Sequence, residues 1–181
     1  MPIDSFGVQY ALLGLLLEEP DHGYALRRRL ESGLGRVWRV ATSQLYLVLR
    51  RLERDGLVAS SDRESAGGPR RRCYKVTARG EEAFRDWAIA PSPHLRDVRV
   101  ELLAKLYFLR RLAPERIQRL LHAQEEALRR DRARASCGDA GLGEDAWIDH
   151  WTSRFREGQL DAALAWLDEV RRETSKGGGA G

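Results

Sequence analysis

The sequence predicts a mainly α-helical chain in two parts: three helices and a β-hairpin within residues 1–90, then a wholly helical stretch over 91–175. Three observations predict it. Apolar residues recur at i, i+3, i+4 and i+7 through much of the chain, as in helices that bury one stripe. Between Leu57 and Val76 that spacing gives way to two short runs flanking a polar, glycine-containing segment, which reads as a hairpin. Finally, Ala90-Pro91-Ser92-Pro93 places two prolines in four residues, which disfavours helix and suits a short stiff connector.

Taken in order, Val8, Tyr10, Ala11, Leu12, Leu13, Leu15, Leu16 and Leu17 are too dense for a one-faced surface helix. They predict a largely buried first helix ending near Glu18–Pro20. Asp21 offers a cap, and His22-Gly23-Tyr24 leads into a second helix with Tyr24, Leu26 and Leu30 facing inward. Gly33 and Gly35 are expected to break it. Thr42 or Ser43 caps a third helix, whose inward stripe is Leu45, Val48, Leu49 and Leu52. Gly56 suits a left-handed C-cap.

Leu57-Val58-Ala59 and Cys73-Tyr74-Lys75-Val76 are the hairpin strands, with Ala66-Gly67-Gly68-Pro69 at the tip. Thr77 caps a further helix carrying Phe84 and Trp87. Beyond the prolines, Val100, Leu103, Leu106 and Tyr107 mark one stripe. Pro114 opens a second helix through Ile117, Leu120, Leu121, Gln124 and Leu128. After a loop over residues 136–143, a third aligns Trp147, Ile148, Trp151, Phe155, Ala162, Trp166 and Val170. Residues 176–181 read as a disordered tail. The Trp147–Trp166 stripe is large for three helices to bury alone, which favours a homodimer over an intramolecular core.

Charge narrows the function. The net charge is +4, yet residues 27–80 hold 14 Lys+Arg against 5 Asp+Glu, a surplus of nine, while residues 81–181 hold 17 against 18. Positive charge concentrated in the first part is the footprint of a polyanion-binding surface, a solvated basic face being the plainer alternative. No stretch reaches the roughly 20 apolar residues of a membrane helix, and Tyr10–Leu17 lacks the basic flank of a signal peptide, so a cytoplasmic protein without membrane contact is expected. Cys73 and Cys137 have no metal-ligand spacing, and His22, His94, His122 and His150 are scattered. Ser43 has no base near it in sequence, and no glycine-rich phosphate loop occurs. Neither catalysis, a metal nor a cofactor is expected.

Helix, helix, helix, hairpin is the order of a winged helix-turn-helix, the hairpin being the wing. YALLGLLLEEPDHGYALRRRLE, SQLYLVLRRLERDGLV and GGPRRRCYKVTARG, in that order, closely resemble the PadR family of transcriptional regulators, and the later helices resemble its larger-domain branch. The resemblance covers Val8 to about Val170 and implies several things together. It implies a dimer formed through the C-terminal helices, third helices in successive major grooves of an inverted-repeat operator in double-stranded DNA, and wings on flanking backbone. It also implies repression, often relieved by a small molecule. One position departs: where the family pattern usually has proline directly after the tyrosine of the third helix, this chain has Leu47.

The residues themselves support a DNA contact. A major groove admits one helix, and a two-fold dimer sets two helices about one duplex turn apart. Thr42, Ser43, Gln44, Tyr46 and Arg50 are aimed at DNA; Gln44 can bond base edges, and Tyr46 a phosphate or thymine methyl. Arg50, Arg51 and Arg54 meet phosphates, are solvated, or pair with Glu53 and Asp55. Arg70, Arg71 and Arg72 on the wing are phosphate or minor-groove candidates, though strand alternation turns one of them away. His22-Gly23-Tyr24 is read as structural. Trp38, Trp147 and Trp151 are candidates for stacking a small aromatic effector, core packing being the alternative. The second part, 91–175, is accordingly expected to be a dimerisation and candidate effector domain.

Overall fold

The computed structural model describes residues 5–37, 39–65, 68–136 and 146–176. Its elements run α1 (Ser5–Glu18), β1 (Asp21–His22), α2 (Gly23–Leu34), α3 (Thr42–Arg54), β2 (Val58–Ser65), β3 (Gly68–Val76) and α4 (Ala78–Ile89). There follow a helical turn α5 (Leu95–Asp97), a π-helical turn (Val98–Leu102), α6 (Leu103–Leu112), a 3₁₀ turn (Pro114–Arg116), α7 (Ile117–Ser136) and α8 (Ala146–Lys176). The mainly helical winged fold expected from the pattern is the fold observed. Of the 176–181 tail, Lys176 closes α8, and the remainder lies outside the described residues, as does most of the 136–143 loop.

Two compact units divide the chain. The first comprises Met1–Ala88 with Leu103–Leu112, the second Ile89–Leu102 with Ala113–Gly181. The helix α6 thus packs with the N-terminal unit, where the division at residue 90 put it with the second. The reason lies in its apolar face: Phe108 is fully buried and meets Phe84 edge-on, with ring centroids 5.7 Å apart. The expected stripe is shifted as well, since Ala104, Phe108 and Leu109 are buried while Leu106 and Tyr107 are half-buried. Lys105 is fully buried too, with Nζ 5.2 Å from the Trp87 ring centre. Trp87 in turn stacks on Tyr10 at 4.9 Å.

In the first unit α1 is buried over most of its length, Val8, Ala11, Leu12, Leu13, Leu15 and Leu16 being at most 2% exposed. Its density of leucine is therefore core-forming, as the sequence suggests. Against it pack Leu26, Leu30 and Leu34 of α2 and Leu45, Val48, Leu49 and Leu52 of α3. Burying a leucine stabilises by roughly 1.5–3 kcal/mol, so the α3 stripe anchors that helix firmly.

The helix ends are partly as expected. Gly56 adopts φ +70°, the conformation glycine tolerates best. There Leu57 N–H donates to Leu52 C=O at 2.8 Å and Gly56 N–H to Glu53 C=O at 3.0 Å, which terminates α3 with a paired C-cap. Thr77 Oγ1 accepts from Gly80 N–H at 3.1 Å, the cap anticipated for α4. At the start of α3 the cap position is instead Ala41, which has no side-chain oxygen to offer, and Thr42 is already helical. Gly33 lies inside α2, which ends one residue later with Gly35 at the cap position. Asp21 does not cap α2 but pairs as strand.

That strand is an addition to the expected hairpin. The sheet is antiparallel in the order β1-β3-β2, with Asp21 opposite Tyr74 and His22 opposite Cys73. A two-residue strand carries no periodic signal, so only the pairing partner reveals it. The hairpin proper is longer than the apolar residues indicate, running through the polar Ser60–Ser65 segment with a register irregularity between Arg63 and Ser65.

In the second unit α7 and α8 pack together through Leu120, Leu121, Leu128, Leu160 and Leu167. Ion pairs fasten the seam: Arg132 Nε lies 2.7 Å from Asp161, and Arg171 bonds Glu125. Glu125 is held below the ordinary carboxylate range, first by its hydrogen bond from Arg129 and then by that from Arg171. Gln124 is fully buried and holds the proline segment, accepting from Ser92 N–H at 2.6 Å and donating to Ser92 C=O at 3.3 Å.

Candidate nucleic-acid interface

The burial of α3 determines what its other side presents. With Leu45, Val48, Leu49 and Leu52 inward, Thr42, Ser43, Tyr46, Leu47, Arg50, Arg51 and Arg54 are exposed, and Gln44 is half-buried. Every third-helix residue singled out from the sequence except Gln44 therefore lies on the outside of the helix. Leu47, at 66%, is the most exposed large apolar side chain among the described residues of this unit, on a helix that runs unbroken from Thr42 to Arg54.

The arginines differ in their engagement. Arg51 Nε lies 3.6 Å and Arg54 Nε 3.2 Å from the Asp55 carboxylate, so both share one acid. Arg50 is exposed and forms no ion pair with a described residue. Arg27 Nη1 reaches Thr42 Oγ1 at 3.5 Å and Glu31 at 3.3 Å, which places a further cation at the start of α3.

On the wing strand, Arg72 turns back to α3. Its Nη2 donates to both Glu53 oxygens, at 2.7 and 2.9 Å, and its Nε to Ser60 Oγ at 2.8 Å. The Ser60 hydroxyl also donates to Glu53. These bonds, the Ser60 hydroxyl foremost, hold the Glu53 carboxyl below its ordinary range against the opposing cost of burial. Glu53 in turn raises Arg72. Arg70 and Arg71 lie on β3, with Arg71 opposite Arg63 in the register; their side chains are outside the described residues.

Tyr46 rests on the first residue of α2. A Cβ added to Gly23 would come within 2.5 Å of the Tyr46 ring, so the absence of a side chain there lets α2 and α3 approach. Tyr24 departs from expectation. Expected to face inward with Leu26 and Leu30, it is 55% exposed, with Arg27 Cζ 5.8 Å from its ring centre. The helical phase explains this, since Gly23, Leu26 and Leu30 occupy the inward stripe and Tyr24 does not share it. His22 is fixed by Asp21, whose Oδ1 lies 2.8 Å from Nδ1.

Of the candidate effector residues, Trp38 lies outside the described residues. Trp147 and Trp151 sit one turn apart on α8, 71% and 54% exposed, with ring centroids 6.5 Å apart. Ile148 and Phe155 continue that exposed apolar face. Among the described residues no group of three or more His, Cys, Asp and Glu is placed to hold a metal, and no helix is long and apolar enough to cross a membrane.

Known proteins resemble this chain in sequence. The profile of the transcriptional regulator PadR-like family matches residues 12–86, the stretch that contains α2, α3 and the wing. A solved PadR-like transcription factor from Bacteroides fragilis is 30% identical, the match covering 45% of this chain and 77% of that one, with a TM-score of 0.41. The chain belongs to the PadR-like family. The negative transcriptional regulator PadR of Bacillus subtilis is 28% identical over 102 residues, 56% of each chain, so the match spans little more than half of that regulator's length. A probable transcriptional regulator of Mycobacterium tuberculosis is 25% identical over 185 aligned positions, covering 89% of this chain and 94% of that one. In this PadR-like chain the matched segment contains the whole of the basic stretch 27–80.

Proposed function

We propose that this PadR-like chain is a homodimeric DNA-binding repressor that inserts α3 into the major groove of an inverted-repeat operator. One observation carries the reading: α3 is pinned by four buried residues and turns Ser43, Tyr46, Leu47, Arg50 and Arg54 outward. Such a face can supply hydroxyl donors, an apolar contact for thymine methyls and cations for phosphates. The nine-charge surplus of residues 27–80 supplies long-range attraction to a polyanion.

Leu47 gives the outward face of α3 an apolar projection at the position where the family pattern usually has proline, so the base preference of other members does not transfer directly to this chain. The name of the Bacillus relative, a negative regulator, supports repression as the direction of control. The exposed Trp147, Ile148, Trp151 and Phe155 face supports self-association through residues 91–175. The adjacent indoles also offer a stacking surface for a small aromatic effector.

The test is fluorescence anisotropy with a duplex from the intergenic DNA beside its own gene, against a scrambled duplex, across a salt series. Tighter binding to the first, weakening steeply with salt, is expected. Equal binding to both would defeat specific reading and leave the alternative of a small-molecule-binding protein or a protein-interaction adaptor. That alternative is separately scored by tryptophan quenching with planar aromatics.

A further inference from the structure

An open cleft of about 380 Å³ lies beside α3, lined by His22, Gly23, Tyr24, Tyr46, Arg72 and Tyr74. Its construction follows from the preceding geometry. The β1–β3 pairing sets Asp21 and His22 against Tyr74 and Cys73, which brings the start of α2 to the wing strand. Gly23 then admits the Tyr46 ring from α3. Residues 72 and 74 point to the same side of β3, with Arg72 Cζ 6.0 Å from the Tyr74 ring centre.

The chemistry of the walls is one-sided. Tyr24 and Tyr46 are exposed, and each carries a hydroxyl donor at the end of a ring that lines the cleft. Arg72 bonds Ser60 and Glu53 through Nε and Nη2, and none of those bonds uses Nη1. Arg27, over the Tyr24 ring, adds positive charge at the rim. His22 is held by Asp21 and serves as a wall. The opening is continuous with the outward face of α3 through Tyr46, which belongs to both.

We propose that this cleft takes one phosphodiester of the duplex backbone beside the groove that α3 enters, with the Tyr24 and Tyr46 hydroxyls donating to it and Arg72 facing it with Nη1. The inference rests on the DNA-binding reading above and adds a contact to it. Tyr24 then belongs to the interface through the α2 N-terminal segment, and Glu53 acts as a positioning residue that holds Arg72 at the cleft.

The experiment uses the full chain and the operator duplex located by footprinting, with methylphosphonate replacing one phosphate at a time. Wild type is compared with Tyr24→Phe, which deletes the hydroxyl and keeps the ring, and with Tyr46→Phe. Tyr24→Phe is expected to bind about fivefold more weakly, the size of one net hydrogen bond, on operator and scrambled duplex alike. One phosphate per half-site is expected at which neutralisation weakens wild type but changes Tyr24→Phe little. Thermal melting should show both phenylalanine variants folded. Wild-type affinity in Tyr24→Phe, or a methylphosphonate profile identical for the two proteins, would overturn the proposal. Should wild type bind neither duplex, the DNA-binding reading itself fails and the cleft contact falls with it.

Discussion

Arg72 on the wing strand and Glu53 on the third helix form a two-pronged ion pair, Nη2 lying 2.7 and 2.9 Å from the carboxylate oxygens. The pair ties wing to helix, and its pH dependence is set by the acid. Because the Glu53 carboxyl is held below its ordinary value of 4.5, the folded chain binds that proton more weakly than the unfolded one. The contribution of the pair is therefore complete above that value and vanishes as pH falls through the lower folded value. Glu53→Gln should melt below wild type at neutral pH, with the gap closing as the pH drops under 4.5. A gap that stayed constant with pH would detach it from this carboxylate.

Arg50 is expected to reach a phosphate. Replacing it with alanine should weaken binding to operator and unrelated duplex to a similar degree. The slope of log affinity against log salt should become shallower by about 0.9 for each phosphate that the variant leaves unneutralised. An unchanged slope would mean the side chain stays in solvent.

Gly23→Ala places a methyl against the Tyr46 ring, whose nearest atom would be 2.5 Å away. The ring lies 40% exposed at the end of a flexible side chain, so it can swing aside at small cost to stability, on the order of 1 kcal/mol or less. What should suffer is DNA affinity, because the displaced ring is part of the surface proposed to meet the duplex. Melting and anisotropy on the same sample separate the two effects. A large fall in stability with DNA affinity intact would rule out this role for Tyr46.

The third helix owes its placement to its buried stripe. Leu49 is fully buried, and Leu49→Ala should cost about 2–5 kcal/mol by removing packed methyl groups. Denaturant titration reads this directly, and a change below about 1 kcal/mol would mean that the helix is not anchored there.

Phe155→Glu puts a charge into the exposed aromatic face of α8. Wild type is expected at twice the 20.6 kDa chain mass by light scattering, and the variant at the single-chain mass. A variant that remained dimeric would place the self-association surface elsewhere.

The legible parts of the fold are those with strong periodicity. The Leu45-Val48-Leu49-Leu52 spacing implies both the α3 helix and its inward face, and from that face the exposed side follows by geometry. Gly56 and Thr77 are readable because their roles are local: a positive φ and a side-chain cap need no distant partner. Tyr24 is misleading because aromatic character suggests burial, whereas its helical phase points it away from Leu26 and Leu30. The β1 strand, the return of Arg72 to Glu53 and the packing of α6 with the first unit all depend on residues far apart in sequence. Short-range pattern carries no information on such pairs.

In the proposed function the outward face of α3 reads duplex DNA as one half of a two-fold pair. A nuclease footprint of the full chain on the intergenic DNA beside its own gene probes that reading without intermediaries. Two protected half-sites of related, inverted sequence are expected, with centres about one helical turn apart, and Arg50→Ala should protect neither at elevated salt. Uniform protection along the fragment, or none at concentrations where the chain is dimeric, would refute it.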